Sequence, residues 1–115
     1  MLAQLHEFRA GGLAGDDAQA LVFYGLAAAQ GLDWAQCELG DMHKNAVAQD
    51  YAEALRLYQL AAAQGLPEAL CCVAECHEYG EGVAAVDVAE AIRWYRRAQA
   101  AGYPVDEDEL DRLGA

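Results

Sequence analysis

The chain has 115 residues, enough for one small domain, and its 26 alanines and 14 leucines against eight β-branched residues argue for helices and against a β fold. It contains no serine and no threonine, which excludes enzymes with a Ser or Thr nucleophile and phosphate loops that end in either residue. Nineteen acidic and seven basic residues give a net charge of −12, which makes nucleic acid and anionic membranes poor partners. This charge either favours a basic protein partner or serves only to keep the chain soluble.

The predicted elements, in chain order, are a short helix in the first ten residues and then three segments that share one pattern. Each segment begins with Asp, has Glu or Gln three residues later, and ends with Gly: residues 16–31, 50–65 and 87–102. The Asp and the residue three positions on can satisfy exposed amides at a helix start, and Gly can adopt the left-handed conformation that ends a helix. We therefore predict three helices in the same register.

Within these segments one set of positions repeats as Ala, Tyr and Ala. Spacings of four and three residues place the set on one stripe of each helix, where we expect the core. The stripe consists of Ala20, Tyr24 and Ala27, then Ala54, Tyr58 and Ala61, and then Ala91, Tyr95 and Ala98. Small residues at Ala35, Gly40, Ala69 and Ala74 are expected to let neighbouring helices approach closely.

A further helix precedes each of the segments. Residues 34–43 align with residues 68–77, so each repeat is a helix pair. The terminal glycines lie 34 and then 37 residues apart, a period typical of helical hairpins that stack into a solenoid. We predict one domain over residues 1–115, with repeats at about 1–31, 32–65 and 66–102 and an acidic capping helix at about 105–113.

The repeats resemble the Sel-1-like repeat (SLR) family, a relative of the tetratricopeptide repeats. The third copy matches best, because it keeps the loop Gly80-x-Gly82 and the pair Trp94-Tyr95, although His77 stands where the family usually has Tyr. The second copy lacks the glycine loop. The resemblance implies an all-α, right-handed solenoid of antiparallel helix pairs and a non-catalytic role as a scaffold or adaptor. Some bacterial members resemble immunity proteins that neutralise secreted effectors.

The Cys and His residues leave a second hypothesis open. His6, His43 and His77 occupy equivalent repeat positions, on the order of 10 Å apart in stacked helices, so they cannot share one metal ion. The only dense group is Cys71, Cys72, Cys76 and His77, and it lacks a Cys-x-x-Cys spacing. This group motivates the alternative of a metal- or redox-responsive regulator, whereas cysteines in apolar helices usually act as small hydrophobic residues.

In tetratricopeptide-like hairpins the first helix of each pair lines the concave face, and the resemblance carries this over to the present chain. Alignment places seven candidate partner-binding residues there: Glu7, Trp34, Asp41, Lys44, Glu68, Glu75 and Glu78. This set predicts an acidic groove with one aromatic anchor, which suits a basic protein partner because charge speeds encounter and a desolvated Trp adds affinity. The opposing interpretation is that Trp34 packs near Leu32 on the preceding repeat and that the acids face solvent.

The sequence thus predicts a non-catalytic protein–protein interaction module, without cofactor or metal, that binds a basic protein. A bacterial immunity protein or inhibitor that covers the active site of a basic toxin or effector is one concrete form, and an adaptor is another. The N-terminus lacks the basic start of a secretory signal, and no apolar run reaches the roughly 18 residues of a spanning helix, so the expected location is the cytoplasm.

Overall fold

The computed structural model describes residues 15–45 and 50–115, with side chains from residue 18 onward. These ranges contain helices and no strand, which confirms the predicted all-α fold. The helices are α1 (Gly15–Ala29), α2 (Asp33–Asn45), α3 (Tyr51–Ala63), α4 (Pro67–Tyr79), α5 (Val88–Ala100) and α6 (Glu107–Leu113). The helix predicted in the first ten residues, with His6 and Glu7, lies outside the described residues.

Each helix packs against the helix that follows it, as in a helical-repeat solenoid. The most extensive contacts join α2 to α3 and α4 to α5, which are the helix pairs of the second and third predicted repeats. The contacts of α1 with α2 and of α3 with α4 join neighbouring repeats. None of the described helices is long and apolar enough to cross a membrane.

The predicted helix starts are confirmed at two of the three segments. The carboxylates of Asp50 and Asp87 accept hydrogen bonds from the backbone N–H groups of Glu53 and Glu90, each at 3.1 Å. These bonds satisfy amides that have no acceptor inside the helix. At the first segment the prediction is wrong, because α1 begins at Gly15, ahead of the expected cap. Ala20 and Tyr24 of this segment are nevertheless buried, as the stripe predicts.

The predicted helix ends are confirmed in all three segments. Gly31, Gly65 and Gly102 have positive φ angles of 88°, 88° and 99°. At the end of α3 the N–H of Gly65 donates to the carbonyl oxygen of Ala62 at 2.9 Å. The left-handed glycine therefore ends the second helix of one repeat and directs the chain into the first helix of the next.

The stripe of Ala and Tyr residues forms the core between the helices. All of its nine members are buried except Ala27, which is half-buried. Gly40 of α2 faces the ring of Tyr58, and a Cβ at Gly40 would lie 2.8 Å from the ring carbon Cε1. Tyr58 is 1% exposed. The absence of a side chain at Gly40 therefore lets α2 and α3 approach closely around a buried ring.

The loop between α4 and α5 contacts the preceding repeat. Gly82 has a φ of 79°, and a Cβ there would lie 2.5 Å from the backbone carbonyl oxygen of Tyr51, at the start of α3. Glycine is the residue that tolerates both the positive φ and so close a backbone approach. The Gly-x-Gly pattern of the third repeat thus brings this loop against α3.

The short helix α6 covers the C-terminal end of the repeats. Its Leu110 is fully buried in a cluster with Ala74, Ala91 and Tyr95. The carboxylate of Asp106 accepts a hydrogen bond from the N–H of Asp108 at 2.9 Å and caps the start of the helix. One apolar face therefore docks on α5 while the acidic face meets solvent.

Candidate functional site

The described residues form a pocket of about 250 Å³ between α2 and α4, the first helices of the second and third repeats. Two residues that follow terminal glycines, Leu66 and Tyr103, complete its walls. Four of its ten lining residues are acids and none is basic. We call it the groove pocket, and it is lined by Trp34, Cys37, Glu38, Asp41, Leu66, Glu68, Cys71, Cys72, Glu75 and Tyr103.

The structure brings together four of the seven predicted partner-binding residues: Trp34, Asp41, Glu68 and Glu75. Lys44 and Glu78 do not line the groove pocket. Lys44 pairs with Glu75 and Glu81, and Glu78 accepts the hydroxyl of Tyr95. Glu7 lies outside the described residues. The assignment of all seven to partner binding stays a prediction.

Lys44 forms ion pairs with the third repeat. Its Nζ lies 3.7 Å from Oε1 of Glu75 and 3.3 Å from Oε1 of Glu81, and its side chain is 22% exposed. Burial lowers the pKa of the Lys44 ammonium, but Glu81 and Glu75 outweigh that effect and the pKa lies above its ordinary value. Lys44 therefore ties α2 to the third repeat as a stable cation.

Asp41 combines burial with a hydrogen bond from the core tyrosine. The hydroxyl of Tyr58 donates to its Oδ1. Burial raises the pKa of Asp41, while the Tyr58 hydrogen bond and Lys44 act in the opposite direction. Burial also raises the pKa of Glu75, the equivalent residue on α4. Two half-buried carboxylates that are costly to ionise thus lie near a single lysine.

In the second and third repeats the core tyrosine bonds a carboxylate 17 residues earlier in the chain. Tyr58 bonds Asp41, and the hydroxyl of Tyr95 donates to Oε1 of Glu78 at 2.7 Å. Repeat alignment, however, pairs Asp41 with Glu75. The loop before α5 is three residues longer than its counterpart before α3, and Tyr95 accordingly reaches about one helical turn further along α4.

Trp34 shows features of both interpretations made from the sequence. Its ring lies edge-on to Tyr24 of the preceding repeat, with ring centroids 6.0 Å apart. It is also 45% exposed and lines the groove pocket. A ring that is packed on one edge and open on its other side can contact a partner without losing much side-chain freedom.

Six of the lining residues are not among the seven predicted ones: Cys37, Glu38, Leu66, Cys71, Cys72 and Tyr103. Tyr103 follows Gly102 as Leu66 follows Gly65, so the repeat alignment already placed both at one repeat position. Glu38 is one helical turn from Trp34 and from Asp41, and this spacing puts the three on one helix face. The repeat alignment and the helical spacing therefore pointed to Leu66, Tyr103 and Glu38 from the sequence.

The four cysteines are free thiols, and three of them line the groove pocket. Burial raises the pKa of Cys71 and of Cys76 to about 12. A hydrogen bond with Cys37, followed by burial, raises the pKa of Cys72 well above its ordinary value. Because the thiolate is the reactive form of cysteine, these thiols are poor nucleophiles at neutral pH. This argues against the redox alternative.

His43 and His77 take structural positions through their backbones. Their carbonyl oxygens accept hydrogen bonds from the N–H groups of Asp50 and Asp87 at 2.8 and 2.9 Å. Over residues 15–45 and 50–115, no three His, Cys, Asp or Glu side chains are placed to hold one metal ion. The metal alternative therefore has no support in the part of the chain that the structure describes.

The sequence model of the Sel1 repeat matches three successive segments, residues 1–32, 35–66 and 67–103, which together make up most of the chain. The chain belongs to the Sel1 repeat family. This confirms the resemblance inferred from the repeats. Sel1 repeats generally mediate protein–protein interaction, and the family is typically non-catalytic.

Two solved structures of Sel1 repeat proteins are similar to this one. A Sel1 repeat protein from Oxalobacter formigenes superposes with a TM-score of 0.76 and is 31% identical in sequence. The match covers 96% of this chain and 84% of the Oxalobacter chain. A protective antigen of uropathogenic Escherichia coli with an SLR fold has a TM-score of 0.69 and 37% identity over 74% of this chain. The match spans 18% of the antigen's length. The comparison with curated proteins found no match.

Proposed function

We propose that this Sel1 repeat chain binds a partner protein by receiving a basic segment of it in the groove pocket. The observation that carries the proposal is the imbalance of charge: four carboxylates line the pocket, no lining residue is basic, and the nearby Lys44 is shared with Glu81. A basic segment would approach faster because of this charge, and Trp34 would supply an aromatic contact.

Burial gives the groove pocket a property that the rest of an acidic surface lacks. Asp41 and Glu75 are costly to ionise where they lie, because burial raises the pKa of each. A cation brought into hydrogen-bonding distance offsets that cost, and it does so more strongly at a half-buried site than in bulk water. A cation in the groove pocket therefore gains more from these two carboxylates than it would from fully exposed ones.

A non-catalytic module of this kind fits two roles in a bacterial cytoplasm. As an adaptor it would hold its partner without changing the partner's activity. As an inhibitor or immunity protein it would cover the active site of a basic toxin or effector. Co-purification with a tagged chain from the native organism identifies the partner. Whether the partner keeps its activity in the complex then distinguishes an adaptor from an inhibitor.

The direct test measures binding of an octalysine peptide to the full chain by calorimetry, at low salt and at about 0.15 M. The double variant Glu38→Gln/Glu68→Gln removes two charges from the groove pocket. The matched control Asp108→Asn/Asp111→Asn removes two charges from α6. We expect the pocket variant to weaken binding about tenfold and the control less than about twofold. Equal losses would show that net charge alone attracts the peptide.

A further inference from the structure

The size of the groove pocket limits what it can hold. Its volume of about 250 Å³ is below the roughly 300–1,000 Å³ typical of pockets that enclose a drug-sized molecule. One long side chain reaching in from a partner fills a site of this size better than a folded segment or a cofactor does. The chemistry of the lining residues therefore determines which side chain the pocket binds.

The walls combine aromatic, apolar and acidic groups. Trp34 near the start of α2 and Tyr103 after α5 bring two aromatic rings to the same pocket from distant parts of the chain. Leu66 and the neutral thiols of Cys71 and Cys72 add apolar surface that suits a hydrocarbon stem. The occupant is thus expected to have an apolar stem and a head that interacts with aromatic rings.

The charge of the pocket requires that head to be a cation. Glu75 already pairs with Lys44, and Asp41 accepts the hydroxyl of Tyr58. Glu68 is exposed, and no cation within residues 15–45 and 50–115 forms an ion pair with it. The carboxylate of Glu68 is therefore the natural partner for a charge supplied from outside.

Contacts inside the protein show which groups surround a guanidinium and which surround an ammonium. The guanidinium of Arg97 lies 4.3 Å from the ring centre of Trp94, whose Nε1–H donates to Glu90 at 3.0 Å. The ammonium of Lys44 is instead held by carboxylates. Arg56, Arg93, Arg96 and Arg112 also pair with carboxylates, so arginine in this protein meets both rings and acids. A guanidinium suits both because it is planar and weakly hydrated, whereas an ammonium is compact and strongly hydrated.

We propose that the groove pocket binds the side chain of a single arginine of the partner, with its guanidinium against Trp34 and Tyr103 and paired with Glu68. The inference rests on the proposed function and names the residue type that anchors the partner. It predicts a preference for arginine over lysine that depends on the aromatic walls, in addition to the general attraction of positive charge.

The test uses three eight-residue peptides that are identical and uncharged except at one position. That position holds arginine, lysine or citrulline, which is the uncharged isostere of arginine. Each is titrated into the full isotopically labelled chain and followed by NMR, with the backbone N–H signals of Cys37 and Cys71 in the groove pocket as reporters and the indole N–H of Trp94 as the internal reference. We expect the arginine peptide to bind about fivefold to tenfold more tightly than the lysine peptide, and the citrulline peptide to show no saturation.

The variant Trp34→Ala should abolish the preference, so that arginine and lysine peptides bind equally, whereas the control Trp34→Phe should retain most of it. Glu68→Gln should weaken binding of the arginine peptide, because it removes the carboxylate that pairs with the guanidinium. Circular dichroism checks that each variant keeps its helices.

Equal affinity for the arginine and lysine peptides in the parent chain would overturn the arginine inference while octalysine binding still supported the proposed function. Failure of octalysine to bind would overturn the proposed function as well. A preference for arginine that survives Trp34→Ala would also overturn the inference, because it would place the arginine elsewhere on the surface.

Discussion

Replacing Gly40 with alanine tests how closely α2 and α3 approach. A Cβ at this position would lie 2.8, 3.0 and 3.2 Å from three ring carbons of Tyr58, against an ordinary contact of at least 3.4 Å. The ring would have to move by about 0.6 Å, the difference between 3.4 and 2.8 Å. It has little room, since Tyr58 is 1% exposed and its hydroxyl is bonded to Asp41.

The expected change in stability is a balance of two opposing effects. Overpacking a core by one methyl group costs about 1–3 kcal/mol, and replacing glycine in a helix by alanine gains about 0.5–1 kcal/mol. Gly40→Ala should therefore lower the free energy of unfolding by about 1–2 kcal/mol, or the melting temperature by about 4 °C per kcal/mol at this chain length. Urea unfolding followed by circular dichroism measures the first quantity.

The control is the same substitution one helix earlier. A Cβ at Gly25 of α1 would meet no atom within 4 Å, so Gly25→Ala should raise stability by about 0.5–1 kcal/mol. A double-mutant cycle adds Tyr58→Leu, which removes the ring, and in that background Gly40→Ala should no longer destabilise. If Gly40→Ala stabilises the parent chain as much as Gly25→Ala does, the close approach of α2 to Tyr58 is wrong.

Three further predictions concern the loop, the internal lysine and the buried carboxylate. Gly82→Ala should lower the free energy of unfolding by about 2–4 kcal/mol, because the residue has a positive φ and its new Cβ would clash with the carbonyl oxygen of Tyr51. The control Gly102→Ala has the positive φ but open space around it, and it should cost about 1–2 kcal/mol in the same urea assay. Lys44→Met leaves the half-buried carboxylates of Glu75 and Glu81 without their cation. It should lower the free energy of unfolding by about 1–2 kcal/mol, between the values for exposed and buried ion pairs. Adding Glu81→Gln should recover part of this loss. Burial raises the pKa of Asp41 above its ordinary value, so the folded chain binds a proton there more readily than the unfolded chain. The parent should therefore gain stability relative to Asp41→Asn as pH falls from neutral towards acid.

The control for the pH experiment is Asp111→Asn, which makes the same change in charge on an exposed position of α6. Its stability relative to the parent should vary less with pH than that of Asp41→Asn. The opposite slope for Asp41→Asn, with the parent losing stability as pH falls, would mean that the Tyr58 hydrogen bond and Lys44 outweigh burial at this carboxylate.

Much of the fold follows from local rules that a sequence displays directly. Asp50 and Asp87 cap helices, and Gly65 and Gly102 end them, because these roles depend on residues within one helical turn. The core stripe follows from its spacing alone. The first helix of the chain stays a prediction because it lies outside the described residues.

The groove was harder to predict because its side chains are set by contacts between repeats. Alignment places Lys44 and Glu78 on the concave side, but it does not contain the geometry that brings Glu81 to one and Tyr95 to the other. Tyr103 was missed for a related reason, since it stands outside the helices from which the groove was assembled. Partners that are distant in sequence thus decide which predicted surface residues are available.

The two tyrosine–carboxylate bonds link the length of a loop to the composition of the pocket. Both Asp41 and Glu75 line the groove pocket, but Asp41 accepts the hydroxyl of Tyr58, whereas Tyr95 bonds Glu78, one turn beyond Glu75, and Glu75 pairs with Lys44. The three additional residues of a connector outside the pocket thus go together with a different internal partner for one of the pocket's acids. In a repeat protein, variation in connector length is consequently a route to altered recognition that requires no substitution at the contact surface itself.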